Sequence, residues 1–133
     1  MKHFECQKVL NRKLSEFAKS KKIDIAYPNI EYEPNIKKTW LKLFYLPTYA
    51  ENIFFGKNRE QIHGIMQVDI YTPRDSGTEK AYKLAEELQD VFGVNSVVTS
   101  EDGFVRIIDF DLTSMQENDW FRVMCEIHYT SFN

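Results

Sequence analysis

Apolar residues recur at helical spacing in two parts of the chain. Between residues 3 and 20 they fall at Cys6, Leu10, Leu14, Phe17 and Ala18. A second series, after the segment "PRDSGTE", falls at Ala81, Leu84, Ala85, Leu88 and Phe92. This spacing lines up the apolar side chains along one side of a helix, so the pattern predicts two amphipathic helices.

The start and the end of the second helix also have sequence signals. Ser76 and Glu79 stand three residues apart, which is the spacing of a capping box with Ser76 as the N-cap. Gly93 follows the last apolar position and is placed to end the helix.

Strict alternation of polar and apolar residues predicts the strands. In "HGIMQVDIYTP" one face carries Met66, Val68 and Ile70, and the other carries Ile65, Gln67, Asp69 and Tyr71. The segments "TWLKLFYLP", "VNSVVTS", "GFVRIIDFDLTS" and "DWFRVMCEIHYT" predict further strands, and Asp102 with Gly103 predicts a hairpin turn. A short strand near Ile25 is expected at a sheet edge, and residues 48–62 lack a clean period and predict a long loop.

The order of these elements is α-β-β-β-α-β-β-β. Strands in hairpin succession, with one helix at the start and one in the middle, predict an α+β fold in which two helices pack on one face of a mostly antiparallel sheet. The length of 133 residues fits a single domain spanning residues 1–133.

The charge is small overall but unevenly distributed. The net charge is −3, yet residues 1–22 carry +5 and residues 99–126 carry −5. A basic domain or stripe is the usual mark of nucleic-acid binding, so no nucleic-acid partner is expected. No apolar run approaches the roughly 18 residues of a membrane span, which predicts a soluble, cytoplasmic protein with no membrane partner.

Candidate chemistry is sparse, and we predict no catalytic residues, no cofactor and no metal site. Nucleotide-binding glycine motifs and nucleophile elbows are absent from the sequence, and the three histidines lack metal-site spacing. Asp109 and Asp111 share a strand face and, with Glu126, form either a carboxylate cluster for a divalent ion or a solvated acidic face. Cys6 and Cys125 are predicted to be buried and reduced.

A series of residues follows in order along nearly the whole chain. It comprises Pro28 and Asn29 in an early turn, Trp40, Gly64, Val68 and Tyr71 in strands, Pro73 and Gly77 in a turn, then Ala81, Leu84, Ala85 and Phe92, and a final aromatic-ended strand. Together these features resemble the phage tail terminator-like family of tailed phages and prophages. The resemblance implies a non-enzymatic ring, typically a hexamer, that caps the tail tube protein and offers a surface to head-completion proteins. It further implies assembly in the host cytoplasm and a place in the virion tail.

A ring of identical subunits requires two different patches of one subunit to complement each other. The basic first helix and the acidic carboxy-terminal strands are the candidate patches, and we also expect the loop and the polar strand face to make contacts. The predicted interface residues are Lys8, Arg12, Lys13, Phe54, Phe55, Gln67, Asp69, Tyr71, Asp109 and Asp111.

Alternatives to these assignments stay open. The basic helix could be a solvated face or a phosphate contact, and the polar strand face could simply meet solvent. A small α+β domain that binds a ligand or regulator without catalysis is the alternative function, and an apolar pocket between helix and sheet would favour it.

Overall fold

The predicted order of helices and strands is confirmed. The computed structural model describes residues 2–52, 60–101 and 103–132, with the backbone alone for residues 47–52 and 60. The elements are α1 (His3–Lys21), β1 (Asp24–Ala26), β2 (Trp40–Asn52), β3 (Glu60–Pro73), α2 (Glu79–Phe92), β4 (Val97–Ser100), β5 (Gly103–Glu117) and β6 (Trp120–Phe132).

The strands form one six-stranded sheet in the order β1-β2-β3-β6-β5-β4. All neighbouring pairs are antiparallel except β1 and β2, which run parallel. The fold is therefore α+β with a mostly antiparallel sheet, as predicted, and the short strand near Ile25 lies at the sheet edge.

Both helices pack on the same face of the sheet around one hydrophobic core. Leu10 and Leu14 of α1 and Leu88 of α2 are fully buried against the strand residues Val68 and Ile70. Alternation along β3 directs Met66, Val68 and Ile70 to this face. We call it the helix face, and we call the opposite side of the sheet the outer face.

The predicted loop at residues 48–62 is wrong at residues 48–52 and 60–62, which belong to strands, and residues 53–59 lie outside the described residues. β2 continues to Asn52 and β3 begins at Glu60, with Tyr49 paired to His63. A register shift between Pro47 and Tyr49 interrupts the alternation of β2. The alternation of polar and apolar residues is therefore lost in the sequence, although β2 and β3 stay paired as far as Asn52 and Glu60.

The start of α2 also differs from the prediction. The N-cap is Thr78, which makes no side-chain capping bond, and the Ser76 hydroxyl instead donates to the Pro73 carbonyl at 2.5 Å. Ser76 therefore stabilises the turn before the helix. Gly93 does end α2, and a Cβ there would lie 2.6 Å from the Gln89 carbonyl oxygen.

Candidate functional site

A buried charged network lies at the centre of the outer face. Asp69 on β3 is fully buried and accepts hydrogen bonds from Arg122 on β6, at 2.7 Å from Nη2 and 3.2 Å from Nε. The Gln67 amide donates to the other carboxylate oxygen at 2.9 Å. Arg122 also reaches Glu117 at 3.0 Å. Burial by itself lowers the pKa of Arg122, but the hydrogen bonds and attraction of Asp69 raise it overall.

Aromatic side chains continue this network toward β2. Tyr71 stacks on Trp40 with ring centroids 4.2 Å apart, and Trp120 meets both rings edge-on. The Arg122 guanidinium lies 5.6 Å from the centre of the Tyr71 ring. Alternation of β2, β3 and β6 places all these groups on the outer face, where Trp40, Tyr71 and Ala26, with Trp120 packed against them, form a small second core.

Of the predicted interface residues, Gln67 and Asp69 belong to the charged network, and Tyr71 belongs to the second core beside it. Their exposed fractions are 8%, 0% and 6%, so the alternative that they form a solvent face is wrong. The Gln67 amide and the Asp69 carboxylate already have hydrogen-bond partners within the chain. A contact of these residues with another subunit stays a prediction.

An exposed group of acids and one imidazole lies farther along the outer face. The ligand-type atoms of Asp109, Asp111 and His128 all lie within 4.8 Å of one another. His128 Nε2 is 3.4 Å from an Asp111 oxygen and 3.7 Å from a Glu126 oxygen. We call these four residues the acidic cluster. Sequence reasoning found its carboxylates but missed His128, because only the pairing of β5 with β6 brings the imidazole beside them.

The acidic cluster has donor types that bind divalent cations. Its carboxylates are nevertheless well exposed, with 57% of the Asp111 side chain accessible. Exposed acidic groups of this kind are common at protein surfaces without a bound ion. Nothing else in the part of the chain that the structure describes points to an ion at this place.

The basic residues Lys8, Arg12 and Lys13 lie where α1 passes beside β4. Arg12, Lys13 and Glu16 line a cavity of about 290 Å³ with Val97, Val98 and Thr99. Lys8 and Arg12 line an adjoining cavity of about 410 Å³ together with Glu5 and Glu101, so acidic side chains stand among the basic ones. We call Lys8, Arg12 and Lys13 the basic groove. It lies on the helix face at the same end of the sheet as the acidic cluster.

The other two predicted interface residues, Phe54 and Phe55, lie outside the described residues. Their contact with another subunit stays a prediction.

Comparison with known proteins assigns the chain to a protein family. The family described as phage tail terminator protein matches residues 5–129, which is nearly the whole chain. The chain belongs to the phage tail terminator family. The family is one of structural proteins of the virion tail, which interact with other tail proteins. The resemblance inferred from the sequence is therefore confirmed.

The fold of this tail terminator also occurs in a solved structure that has no functional name. The two are similar with a TM-score of 0.80 and 23% identity, over 98% of this chain and 96% of that chain. At this identity the likeness supports the fold alone. No curated protein matches the chain.

The two cysteines of this terminator chain are free and fully buried, as predicted. Burial raises the pKa of the Cys125 thiol to about 12, and repulsion from Asp69 adds to the shift. Burial likewise raises the pKa of Cys6. Because the thiolate is the reactive form, these surroundings make both sulfurs poor nucleophiles.

Three further features complete the picture of this tail terminator. Neither described helix is long and apolar enough to cross a membrane.

The side chains of α1 and α2 interdigitate with the sheet in one core. A cavity of about 570 Å³ lies at the edge of the sheet beside β1 and β2, lined by residues that include Tyr27, Tyr32, Trp40 and Phe44.

Proposed function

We propose that this chain assembles into a ring, taken as a hexamer, that caps the last ring of the tail tube and joins it to head-completion proteins. The family match over residues 5–129 is the observation that carries this proposal. The ring ends polymerisation of the tube protein during assembly in the host cytoplasm and remains in the tail of the virion. No catalytic step is part of the proposal.

The charged surfaces support a role in docking. The basic groove and the acidic cluster lie at one end of the sheet, on opposite faces. The exposed Lys8 and Arg12 of the groove and the exposed carboxylates of the cluster can each meet oppositely charged groups of a neighbouring subunit or tail protein. Such complementarity mainly sets encounter rate and register, whereas apolar contacts supply most of the affinity.

Tube growth in the presence of this chain tests the proposed function. Tail tube protein from the same phage is polymerised with increasing amounts of purified chain, and tube lengths are measured by electron microscopy. We expect the mean length to fall as the chain is added, with extra density at one end of each tube. An unchanged length distribution and bare tube ends at saturating chain would contradict a terminator role.

Charge reversal tests the docking role of the basic groove. We expect Arg12→Glu with Lys13→Glu to weaken self-association or tube binding by about tenfold at low salt, because attractive contacts become repulsive. The difference between variant and unmodified chain should shrink near 0.5 M salt, where the screening length falls to about 4 Å. Analytical ultracentrifugation and tube co-sedimentation measure the two effects.

Lys80→Glu with Lys83→Glu is the matched control for this reversal. Both residues are exposed on α2, so the net charge changes by the same amount at a different surface. An equal loss of association in the two double variants would show that net charge, and not the basic groove, controls docking.

A further inference from the structure

The edge of β2 is open over most of its length. β1 pairs only with Trp40, Leu41 and Lys42. Beyond Ala26 the chain turns away, because Pro28 has no N–H for a ladder and Asn29 adopts a positive φ of 58°. Among the described residues no strand pairs with this side of β2 from residue 43 onward. The backbone of residues 43–46 therefore presents unpaired donors and acceptors.

The opposite edge of the sheet is open along β5. β4 pairs with residues 103–106, and Asn95 and Ser96 extend the backbone bonding to Ile107. From residue 108 to residue 117, the only strand neighbour of β5 in the described chain is β6. One subunit therefore has two open strand edges, one at each side of the sheet.

Exposed apolar side chains accompany both edges. Ile30 and Leu46 are 67% and 46% exposed near β2. Ile108, Leu112 and Met115 are 44%, 38% and 44% exposed on β5. A strand edge with exposed apolar residues is a template for pairing with another chain.

The cavity beside β2 adds an unused hydrogen-bond donor. Trp40 lines this cavity and is only 8% exposed, yet its indole Nε1 has no hydrogen-bond partner. Buried indole N–H groups usually find an acceptor. An extended segment lying in the cavity would bring backbone carbonyl groups to this position.

We propose that the open edge of β2 in one copy pairs in an antiparallel manner with the open edge of β5 in a second copy. This inference rests on the proposed ring and identifies its subunit contact. β2, β3, β6 and β5 alternate in direction, so β2 and β5 run opposite ways within one subunit. If the copies are related by rotation about an axis roughly parallel to the strands, every copy keeps these strand directions. The β2 edge of one copy then meets the β5 edge of the next in an antiparallel manner.

Charge and chain geometry fit the same pairing. Residues 108–117 contain Asp109, Asp111 and Glu117 and no basic residue, whereas the open residues 43–46 are uncharged and the adjoining Lys42, paired with β1, is basic. Pro47 and the adjoining bulge limit regular pairing on β2 to residues 43–46. Both helices lie on one face of the sheet, so a sheet continued across the contact keeps the helices of all copies on the same face.

Amide exchange on the unmodified protein tests this contact. Exchange at residues 43–46 and 108–117 is compared between the oligomer and the diluted monomer at single-residue resolution. We expect alternate amides of residues 43–46, and of the about four residues opposite them within 108–117, to exchange about tenfold or more slowly in the oligomer, because every second N–H points to the new partner. The amides of residues 97–99 are the control and keep the same rates, since the pairing leaves the outer side of β4 uncovered.

The outcomes separate this inference from the proposed function. An oligomer in which both edges keep monomer exchange rates would overturn the strand pairing and leave the ring standing. A chain that stays monomeric at all concentrations, including on tubes, would overturn both.

Paired cysteines give a second test that depends on sheet geometry. Opposed residues in a sheet share a face, and Leu46, Thr113 and Met115 lie on the outer face. We expect Leu46→Cys combined with Thr113→Cys or with Met115→Cys to form disulfide-linked ladders under mild oxidation. Leu46→Cys with Leu112→Cys is the matched control on the helix face and should not form ladders. Cross-linking of the Leu112→Cys control pair as strong as that of the outer-face pairs would overturn the pairing.

Discussion

Replacing Arg122 with methionine is expected to lower the free energy of unfolding by about 3 kcal/mol, the lower end of the cost of breaking a buried ion pair. The variant leaves the fully buried Asp69 carboxylate with Gln67 as its remaining hydrogen-bonding side chain. The lower end applies because 20% of the Arg122 side chain is exposed. Urea denaturation followed by circular dichroism measures the loss.

Two further variants test the physical reason for this loss. Glu117→Gln removes the second, 39% exposed partner of Arg122 and should cost less than about 1 kcal/mol, as exposed ion pairs do. Asp69→Leu in the Arg122→Met background removes the unpaired charge and should recover much of the stability. If the double variant is no more stable than Arg122→Met alone, the uncompensated carboxylate is not the cause.

Gly64→Ala is expected to lower the free energy of unfolding by about 2 kcal/mol, within the usual cost of overpacking a core. Gly64 on β3 pairs with Tyr129 on β6, and the tyrosine ring lies over the glycine. A Cβ at this position would lie 2.4 Å from both Cζ and the hydroxyl oxygen of Tyr129. Because Tyr129 is fully buried, its ring has little room to move. Thermal and urea unfolding measure the change.

A double-mutant cycle separates steric overlap from backbone effects at Gly64. Tyr129→Leu removes the atoms that the new methyl group would meet, although it carries its own cavity cost. Gly64→Ala should therefore cost much less in the Tyr129→Leu background than in the unmodified chain. Equal costs in the two backgrounds would contradict the steric explanation.

The polar face of β3 illustrates where sequence reasoning reached its limit. Alternation correctly placed Gln67, Asp69 and Tyr71 together on the face opposite the core. It did not reveal that Arg122 lies against Asp69, because the two residues are 53 positions apart. The face was therefore expected to meet solvent or a neighbour, and the structure buries these three residues, while their contact with a neighbour stays a prediction.

The acidic cluster was likewise only partly predictable. The strand period of two correctly placed Asp109 and Asp111 on the same strand face. It also placed Cys125 and His128 on opposite faces. The register of β5 against β6 brings His128 to the carboxylates, and a shift between Ile107 and Asp109 sets that register. Bulges and long-range register leave little trace in local hydrophobic patterns.

The sequence by itself determined the order of helices and strands, the division of β3 into an apolar and a polar face, and the family to which the chain belongs. These properties follow from local periodicity and ordered motifs, which neighbouring residues specify. Only the tertiary structure decided the sheet order, the Asp69 and Arg122 pair, and the two open edges of β2 and β5. Those features depend on which strands become neighbours, and this depends on packing between segments distant in the chain.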